Sequence, residues 1–228
     1  MEKALALDAS VLKKRPLKVP AGCGAVVLGS EFCAGLLPSP QEVLDVMAAF
    51  KGRIILATPM LTEAGLAAVK KILLAAGKSR RLEVIANDLG LLELLRARFK
   101  GKAAVSCGRI LTHRVRIMPQ AYAEKFLARY GIRTFEVDDA SIIKRLEPYG
   151  LALSWHYPFK YATVTRFCPW EERWASACGK SCLGRTAPLT HPGLPVTLWR
   201  IGSAYFVRGQ RGRAGVERNI FTPPFKER

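Results

Sequence analysis

Short apolar runs alternate with longer amphipathic segments from residue 24 to about residue 150. A short continuous apolar run predicts a buried strand, and apolar residues spaced three or four apart predict a helix. The predicted strands cover residues 24–29, 53–58, 82–87, 103–107 and 132–137, and the predicted helices cover residues 40–51, 63–76, 91–99 and 120–131. This part of the chain is therefore a series of strand–helix units.

Residue types at the helix starts agree with these boundaries. Ser39 and Thr62 each precede a predicted helix, and Pro40 lies in the first turn of the first one. Their side-chain oxygens suit the N-cap position, and proline suits the first turn because its missing N–H is not needed there. Asp88 is a good N-cap for the third helix, and it is also a candidate site residue at the end of a strand.

Continuous apolar strands joined by helices indicate parallel strands, either in a closed barrel or in an open doubly wound sheet. No G-x-G-x-x-G loop follows any predicted strand, and the chain from Leu151 onward is rich in glycine, proline and β-forming residues. We therefore predict a single α/β domain over residues 1–228. It consists of an incomplete or irregular TIM-like βα barrel (24–150) and a β-rich, cysteine-containing C-terminal section (151–228), because five units are fewer than the eight of a full barrel.

Composition indicates a folded chain with a strong positive charge. Half of the 228 residues are hydrophobic, and 36 Lys and Arg against 18 Asp and Glu give a formal charge of +18. No apolar run is long enough to cross a bilayer, and the first residues are too charged for a secretory signal, so we expect a cytoplasmic protein without membrane insertion. The charge predicts a polyanionic partner such as RNA, although a generally basic surface explains it equally well.

The basic residues concentrate in two segments, 70–102 and 200–218. The second segment mixes arginines with Tyr205, Phe206 and several glycines, which is typical of segments that bind single-stranded RNA. Its nucleic-acid-binding candidates are Arg208, Arg211 and Arg213.

Three of the six cysteines are clustered near the end of the chain. Cys168, Cys178 and Cys182 lie within fifteen residues, and the other three are scattered upstream. Tetrahedral zinc and cubane iron–sulfur clusters both take four ligands. A fourth ligand must therefore come from elsewhere in the fold, and a distant cysteine is the natural supplier.

Four segments together resemble peptidase family U-32, the collagenase-like peptidases, and in particular its short branch, which acts in anaerobic ubiquinone biosynthesis. These segments are GAVVLGSEFC, RIILATPMLTEAGL, LEVIANDLGLLELL and RFCPWEERWASACGKSC, and the resemblance covers roughly residues 24–210. It implies that Cys33, Cys168, Cys178 and Cys182 bind a 4Fe–4S cluster. It also implies a role in an oxygen-independent hydroxylation system acting on a quinone precursor or on RNA, sometimes as a heterodimer with a second family member.

The position of Cys33 agrees with this resemblance. Cys33 lies just past the end of the first predicted strand, on the face where parallel barrels build their sites. Basic neighbours in sequence, Arg166, Arg173 and Lys180, would favour thiolates in the later cluster. A structural zinc site would use the same thiolates, and Cys23 and Cys107 are predicted to be spare.

Other chemistry is sparse in this sequence. Asn87 and Asp88 lie at the end of the third predicted strand, and Glu31 belongs to the same rim, so these three are candidate substrate-binding residues. The three histidines form no H-E-x-x-H pair, and no G-x-S-x-G elbow is present, so no catalytic residue is assigned. Three functions remain: an iron–sulfur protein of a hydroxylation system, a basic RNA-binding module with a structural metal site, and a peptidase, for which no hydrolytic constellation is visible.

Overall fold

A closed barrel of eight parallel strands forms the centre of the molecule. The computed structural model describes residues 1–7, 17–77, 82–174, 178–223 and 226–227. The first seven barrel strands are β1 (Glu2–Leu7), β2 (Ala25–Gly29), β3 (Arg53–Ala57), β4 (Leu82–Ala86), β5 (Ala104–Cys107), β6 (Ile132–Val137) and β7 (Ala152–Tyr157). The eighth strand is formed by Arg218–Phe221, and it pairs with β7 on one side and β1 on the other, which closes the ring.

Helices cover the outside of the barrel. They are α1 (Pro40–Ala49), α2 (Glu63–Ala76), α3 (Leu89–Arg98), α4 (Arg109–Val115), α5 (Gln120–Tyr130) and α6 (Ala140–Leu146), with 3₁₀ turns at Ala34–Leu36 and Glu147–Tyr149. The three predicted N-caps are confirmed. Ser39 forms a capping box with Glu42, Thr62 accepts the N–H of Gly65, and Asp88 accepts that of Leu91.

The α/β barrel is confirmed, but the ring is complete, whereas the sequence predicted an incomplete or irregular one. The strands that close it were missed because they carry polar residues. The strand Arg218–Phe221 has only four residues and begins with Arg218 and Asn219, so it lacks an apolar run. Three of the eight barrel strands, β1, β7 and Arg218–Phe221, therefore lie outside residues 24–150.

The C-terminal section is confirmed as β-rich, and most of it is an insertion between β7 and the last barrel strand. It contains β8 (Phe159–Val164), the hairpin β9 (Phe167–Cys168) and β10 (Arg173–Trp174), then β11 (Arg185–Leu189), β12 (Leu198–Ile201) and β13 (Ala204–Arg208). The last barrel strand is thus β14, and β15 (Lys226–Glu227) follows it. Strands β15, β11, β12, β13 and β8 form one sheet in that order. Phe159 and Phe206 of this sheet pack against Phe32, beyond the end of β2.

The barrel interior is half apolar and half polar. Alternate strand residues point inward, and one group of them forms a small apolar cluster: Ala4, Ala25, Val27, Ile55, Ala57, Ile85 and Ile220. Buried polar residues on β4–β7 and β14 fill the rest: Glu83, Ser106, Glu136, Ser154, His156 and Arg218. Arg218 pairs with Glu83 at 2.8 Å and with Glu2 at 2.6 Å, so the charges at the amino ends of these strands are paired. No helix among the described residues could cross a membrane.

Candidate functional site

A buried ion-pair network lies at the carboxyl ends of the barrel strands. Glu31 follows β2, and its carboxylate accepts the Arg109 Nε–H at 2.8 Å and the Arg109 backbone N–H at 2.6 Å. Arg109 also donates from Nη1 to Asp138 at 3.0 Å. Burial opposes ionisation of Glu31, but the Arg109 guanidinium, the nearby His156 and the hydrogen bonds from the Arg109 backbone and Asn87 together outweigh burial, so the pKa of Glu31 lies below its ordinary value. Glu31 is therefore an anion at neutral pH, held in one orientation.

Asn87 connects this network to three elements. Its amide donates to Glu31 at 3.2 Å and to the Thr58 carbonyl at 2.9 Å, and its carbonyl oxygen accepts the N–H of Ile110 at 3.0 Å. The structure thus brings two of the predicted rim residues, Glu31 and Asn87, into direct contact. Asp88 instead accepts the N–H of Leu91 at 3.0 Å and of Leu61 at 3.1 Å, so it caps α3.

Sequence reasoning missed a buried pair inside the mouth, Glu136 on β6 and His156 on β7. Their Oε2 and Nε2 atoms are 2.8 Å apart, and the same nitrogen is 3.7 Å from Glu31 Oε1. Burial raises the pKa of Glu136 well above its ordinary value. Burial, together with the Arg109 charge, lowers the pKa of His156 to about 3. The proton of the pair therefore resides on Glu136, and the other carboxyl oxygen of Glu136 has no partner among the described residues.

A cavity of about 100 Å³ opens above this network. Glu31, Arg109 and His156 form its polar side. Its apolar side includes Phe32, Leu36, Phe159, Ile201, Phe206 and Ile220. The Arg109 guanidinium lies 4.7 Å from the centroid of the Phe32 ring, which stacks on Tyr161 at 4.8 Å. The cavity thus offers an apolar surface beside one fixed charge network and one neutral histidine.

The four cysteines predicted as metal ligands lie in one cluster beside this cavity. A β-carbon at Gly35 would lie 2.7 Å from the Cys178 sulfur and 3.8 Å from the Cys33 sulfur, so both sulfurs border the same small space. Burial, together with repulsion from the nearby Cys33, Cys178 and Cys168 thiols, raises the pKa of the Cys182 thiol to about 12. We call these four residues the thiol cluster.

The thiol cluster provides four donors of the type that iron–sulfur and zinc centres use. In the described part of the chain, no three His, Cys, Asp or Glu side chains stand at the spacing of a metal site. The four thiols therefore lie near one another, but their side chains do not have the spacing of a coordination sphere. Cys107 is buried in β5, and Cys23 lies before β2, at the opposite end of that strand from Cys33.

The three predicted nucleic-acid-binding arginines lie on the surface around the inserted sheet and barrel wall. Arg208 ends β13, and its guanidinium lies 5.1 Å from the Trp199 ring centroid. Residues 209–217 then run along the barrel wall. There Arg213 lies 5.4 Å from the Trp155 ring, and the Arg211 carbonyl accepts the Trp155 indole N–H at 2.8 Å. These arginines are exposed, but the backbone that carries them is attached to the barrel.

No protein-family model, no curated protein and no solved structure matches this chain.

Proposed function

We propose that this chain is an iron–sulfur protein in which Cys33, Cys168, Cys178 and Cys182 hold a 4Fe–4S cluster beside a small-molecule cavity. The observation that supports the proposal is the thiol cluster itself. The Cys33 and Cys178 sulfurs border one small space beside Gly35, and Cys168 and Cys182 lie near enough to interact with them electrostatically. This place is at the barrel mouth, where barrel enzymes bind their substrates. The two cysteines predicted to be spare lie elsewhere.

Positive charge next to the thiol cluster favours such a centre. Four thiolates carry more negative charge than a 4Fe–4S core offsets, so nearby cations stabilise the assembly. Trp170 follows Cys168 by two residues, and the guanidinium groups of Arg200 and Arg185 lie 4.1 Å and 4.8 Å from its ring centroid. Two cations therefore contact the indole that follows Cys168 in sequence.

The cavity and the thiol cluster share a wall. Phe32 and Leu36 line the cavity, and Cys33 lies between them in sequence. Ile201 lines it as well, and a β-carbon at the adjacent Gly202 would be 3.6 Å from the Cys33 β-carbon. A molecule bound in the cavity would therefore lie beside the cysteine-bearing segment.

When bound, the cluster would supply one-electron transfer to such a molecule. The chain's own residues would orient the molecule and manage protons. The Glu31–Arg109 pair offers a fixed polar contact, and the Glu136–His156 pair holds one proton at the cavity. We infer that this chain is a subunit of an oxygen-independent hydroxylation system. As the resemblance implies, its substrate would be a quinone precursor or RNA, and its partner would be a second family member.

A second candidate is an RNA-binding module whose thiols hold a structural zinc ion. The exposed Arg208, Arg211 and Arg213 and the charge of +18 favour it. A peptidase is disfavoured, because the buried His156 is bonded to Glu136 rather than to a thiol or hydroxyl nucleophile.

Anaerobic purification with metal and sulfide analysis tests the proposal. We expect a brown protein with about four irons and four sulfides per chain. Alanine at any position of the thiol cluster should abolish iron binding. Cys23→Ala and Cys107→Ala are matched controls and should keep it.

Stoichiometric zinc without iron after anaerobic reconstitution would contradict the iron–sulfur proposal and favour the structural zinc site. If Cys33→Ala retained full iron while Cys107→Ala lost it, the assignment of the fourth ligand would be wrong.

A further inference from the structure

The loop from Cys178 to Cys182 folds around one carboxylate. The two oxygens of Glu171 accept the backbone N–H of Gly179 at 3.0 Å and that of Ser181 at 3.2 Å. The Glu171 side chain is only 8% exposed, although it lies in a surface hairpin. The backbone N–H groups of Gly179 and Ser181, both between Cys178 and Cys182, therefore point at the same side chain.

The residue between those two peptide groups has an unusual backbone conformation. Lys180 has a φ of 59°, in the left-handed region that non-glycine residues rarely occupy. Its own N–H points toward the other side of the turn and donates to the Cys178 sulfur at 3.3 Å. Such a conformation persists only where surrounding contacts impose it. The Glu171 carboxylate supplies these contacts on one side, and the Cys178 sulfur supplies one on the other.

Glu171 is itself fixed to the hairpin that carries another member of the thiol cluster. It lies in the turn between β9 and β10, and it accepts two hydrogen bonds from Arg173, from Nη2 at 2.6 Å and from Nε at 3.0 Å. Arg173 pairs across the hairpin with Cys168. One carboxylate thus links the segment of Cys168 to the loop of Cys178 and Cys182.

We propose that Glu171 is the positioning residue of the thiol cluster: by joining the β9–β10 hairpin to the 178–182 loop, it sets three of the four thiols in place before a metal binds. The metal-binding part of this inference rests on the proposed function. The organisation of the loop does not depend on it. Side chains that orient metal ligands from outside the coordination sphere typically contribute 10- to 100-fold to metal affinity.

Glu171→Gln is the sharpest variant, because glutamine keeps the size and one acceptor but turns an N–H₂ group toward a backbone N–H. Glu172→Gln is the matched control, since it makes the same change one residue further on, at an exposed side chain. Arg173→Gln removes the anchor of Glu171 and leaves the carboxylate, so it should act in the same direction with a smaller effect.

The first measurement uses the metal-free, reduced protein. Alkylation by iodoacetamide, read by mass spectrometry at each cysteine, should be several-fold faster at Cys178 and Cys182 in Glu171→Gln than in the wild type or in Glu172→Gln. The rate at Cys107, which is buried in β5, should be unchanged and reports that the barrel is folded.

The second measurement is loss of metal to a chelator after anaerobic reconstitution with ferrous iron and sulfide. Glu171→Gln should lose its metal about tenfold faster than Glu172→Gln. Equal alkylation and equal metal loss in the two variants would overturn the role of Glu171. Altered alkylation in a protein that binds zinc instead of iron would support the role of Glu171 and contradict only the iron–sulfur proposal.

Discussion

Gly35 is the residue that most directly limits the space around the thiol cluster. It lies in the 3₁₀ turn Ala34–Leu36, and its backbone is not left-handed, so conformational freedom does not explain glycine there. The lack of space for a side chain explains it. An added β-carbon would lie 2.7 Å from the Cys178 sulfur, which is closer than real β-carbon contacts, and 3.0 Å from the Cys178 β-carbon.

We therefore expect Gly35→Ala to displace Cys178 and to lower iron content after anaerobic reconstitution to below half of the wild-type value, with little change in thermal midpoint. Gly65→Ala in α2 is the matched control. There the new methyl lies 3.1 Å from Leu61 Cδ2, at the flexible end of that side chain, and in ordinary contact with Leu61 Cβ and Thr62 Oγ1. Alanine favours the helix by up to about 1 kcal/mol. Full iron content in Gly35→Ala would show that the turn can move without disturbing the cluster.

At the scale of elements, the neighbouring strands β6 and β7 share one proton between Glu136 and His156. The ordinary pKa values of these groups are 4.5 and 6.5. With one proton bound, the pair carries it on Glu136 when the chain is folded, because burial raises the pKa of Glu136 and lowers that of His156, and on His156 when the chain is unfolded. The raised pKa of Glu136 contributes stability that is lost as pH rises through that pKa. Below pH 4.5 the unfolded chain binds one proton more, so stability falls as pH decreases.

Glu136→Gln separates the two titrations, because its amide still donates to His156 but does not ionise. The loss of stability that the raised pKa of Glu136 causes as pH rises should disappear. The loss on acidification should begin near the ordinary pKa of His156 instead of that of Glu136. Urea unfolding at about pH 5.5 and at about pH 8.5 measures both effects. Identical pH dependence in the variant and the wild type would show that Glu136 is ionised in the folded protein.

Sequence patterns predicted those elements whose apolar pattern is uninterrupted. The confirmed elements are strands β2–β6 and helices α1, α2, α3 and α5. Each strand has a continuous apolar run, and each helix has an apolar stripe with a helix-start signal or a glycine at its end. Strands β7 and β14 were missed because their inward residues, such as Ser154 and Arg218, are polar and break the run. Helices α4 and α6 have seven residues each, too few to show a period.

The candidate site was predictable only where residue type or strand position marks it. Glu31 and Asn87 end strands, and the cysteines form a recognisable group. The Glu136–His156 contact depends on the register of β6 against β7, and each residue alone looks like an interruption of an apolar strand. The role of Glu171 depends on a left-handed turn at Lys180, which no sequence rule places at a lysine.

For the whole molecule, the charge of +18 is distributed unevenly around the barrel. Lys71, Arg98 and Lys100 lie on or just beyond helices of the barrel, whereas Arg208, Arg211 and Arg213 lie on β13 and the segment that runs along the wall. Both groups are exposed. A general electrostatic attraction for polyanions would use either group, but a defined RNA-binding face would use one.

The last prediction distinguishes these cases by comparing two triple charge reversals. Changing Arg208, Arg211 and Arg213 to Glu should weaken binding of a structured RNA and flatten its salt dependence, because each lost phosphate contact lowers the slope of log K against log salt by about 0.7 to 0.9. Changing Lys71, Arg98 and Lys100 to Glu alters the net charge by the same amount as the arginine variant. In this second variant most of the slope of log K against log salt should remain. Arg208 and Arg213 also contact Trp199 and Trp155, each contact contributing about 0.5–1 kcal/mol, so thermal midpoints and iron content are measured alongside. Filter binding at two salt concentrations gives both slopes.

An unchanged slope in the arginine variant would contradict the RNA-binding face, and equal weakening of RNA binding in both variants would indicate attraction by the total charge alone.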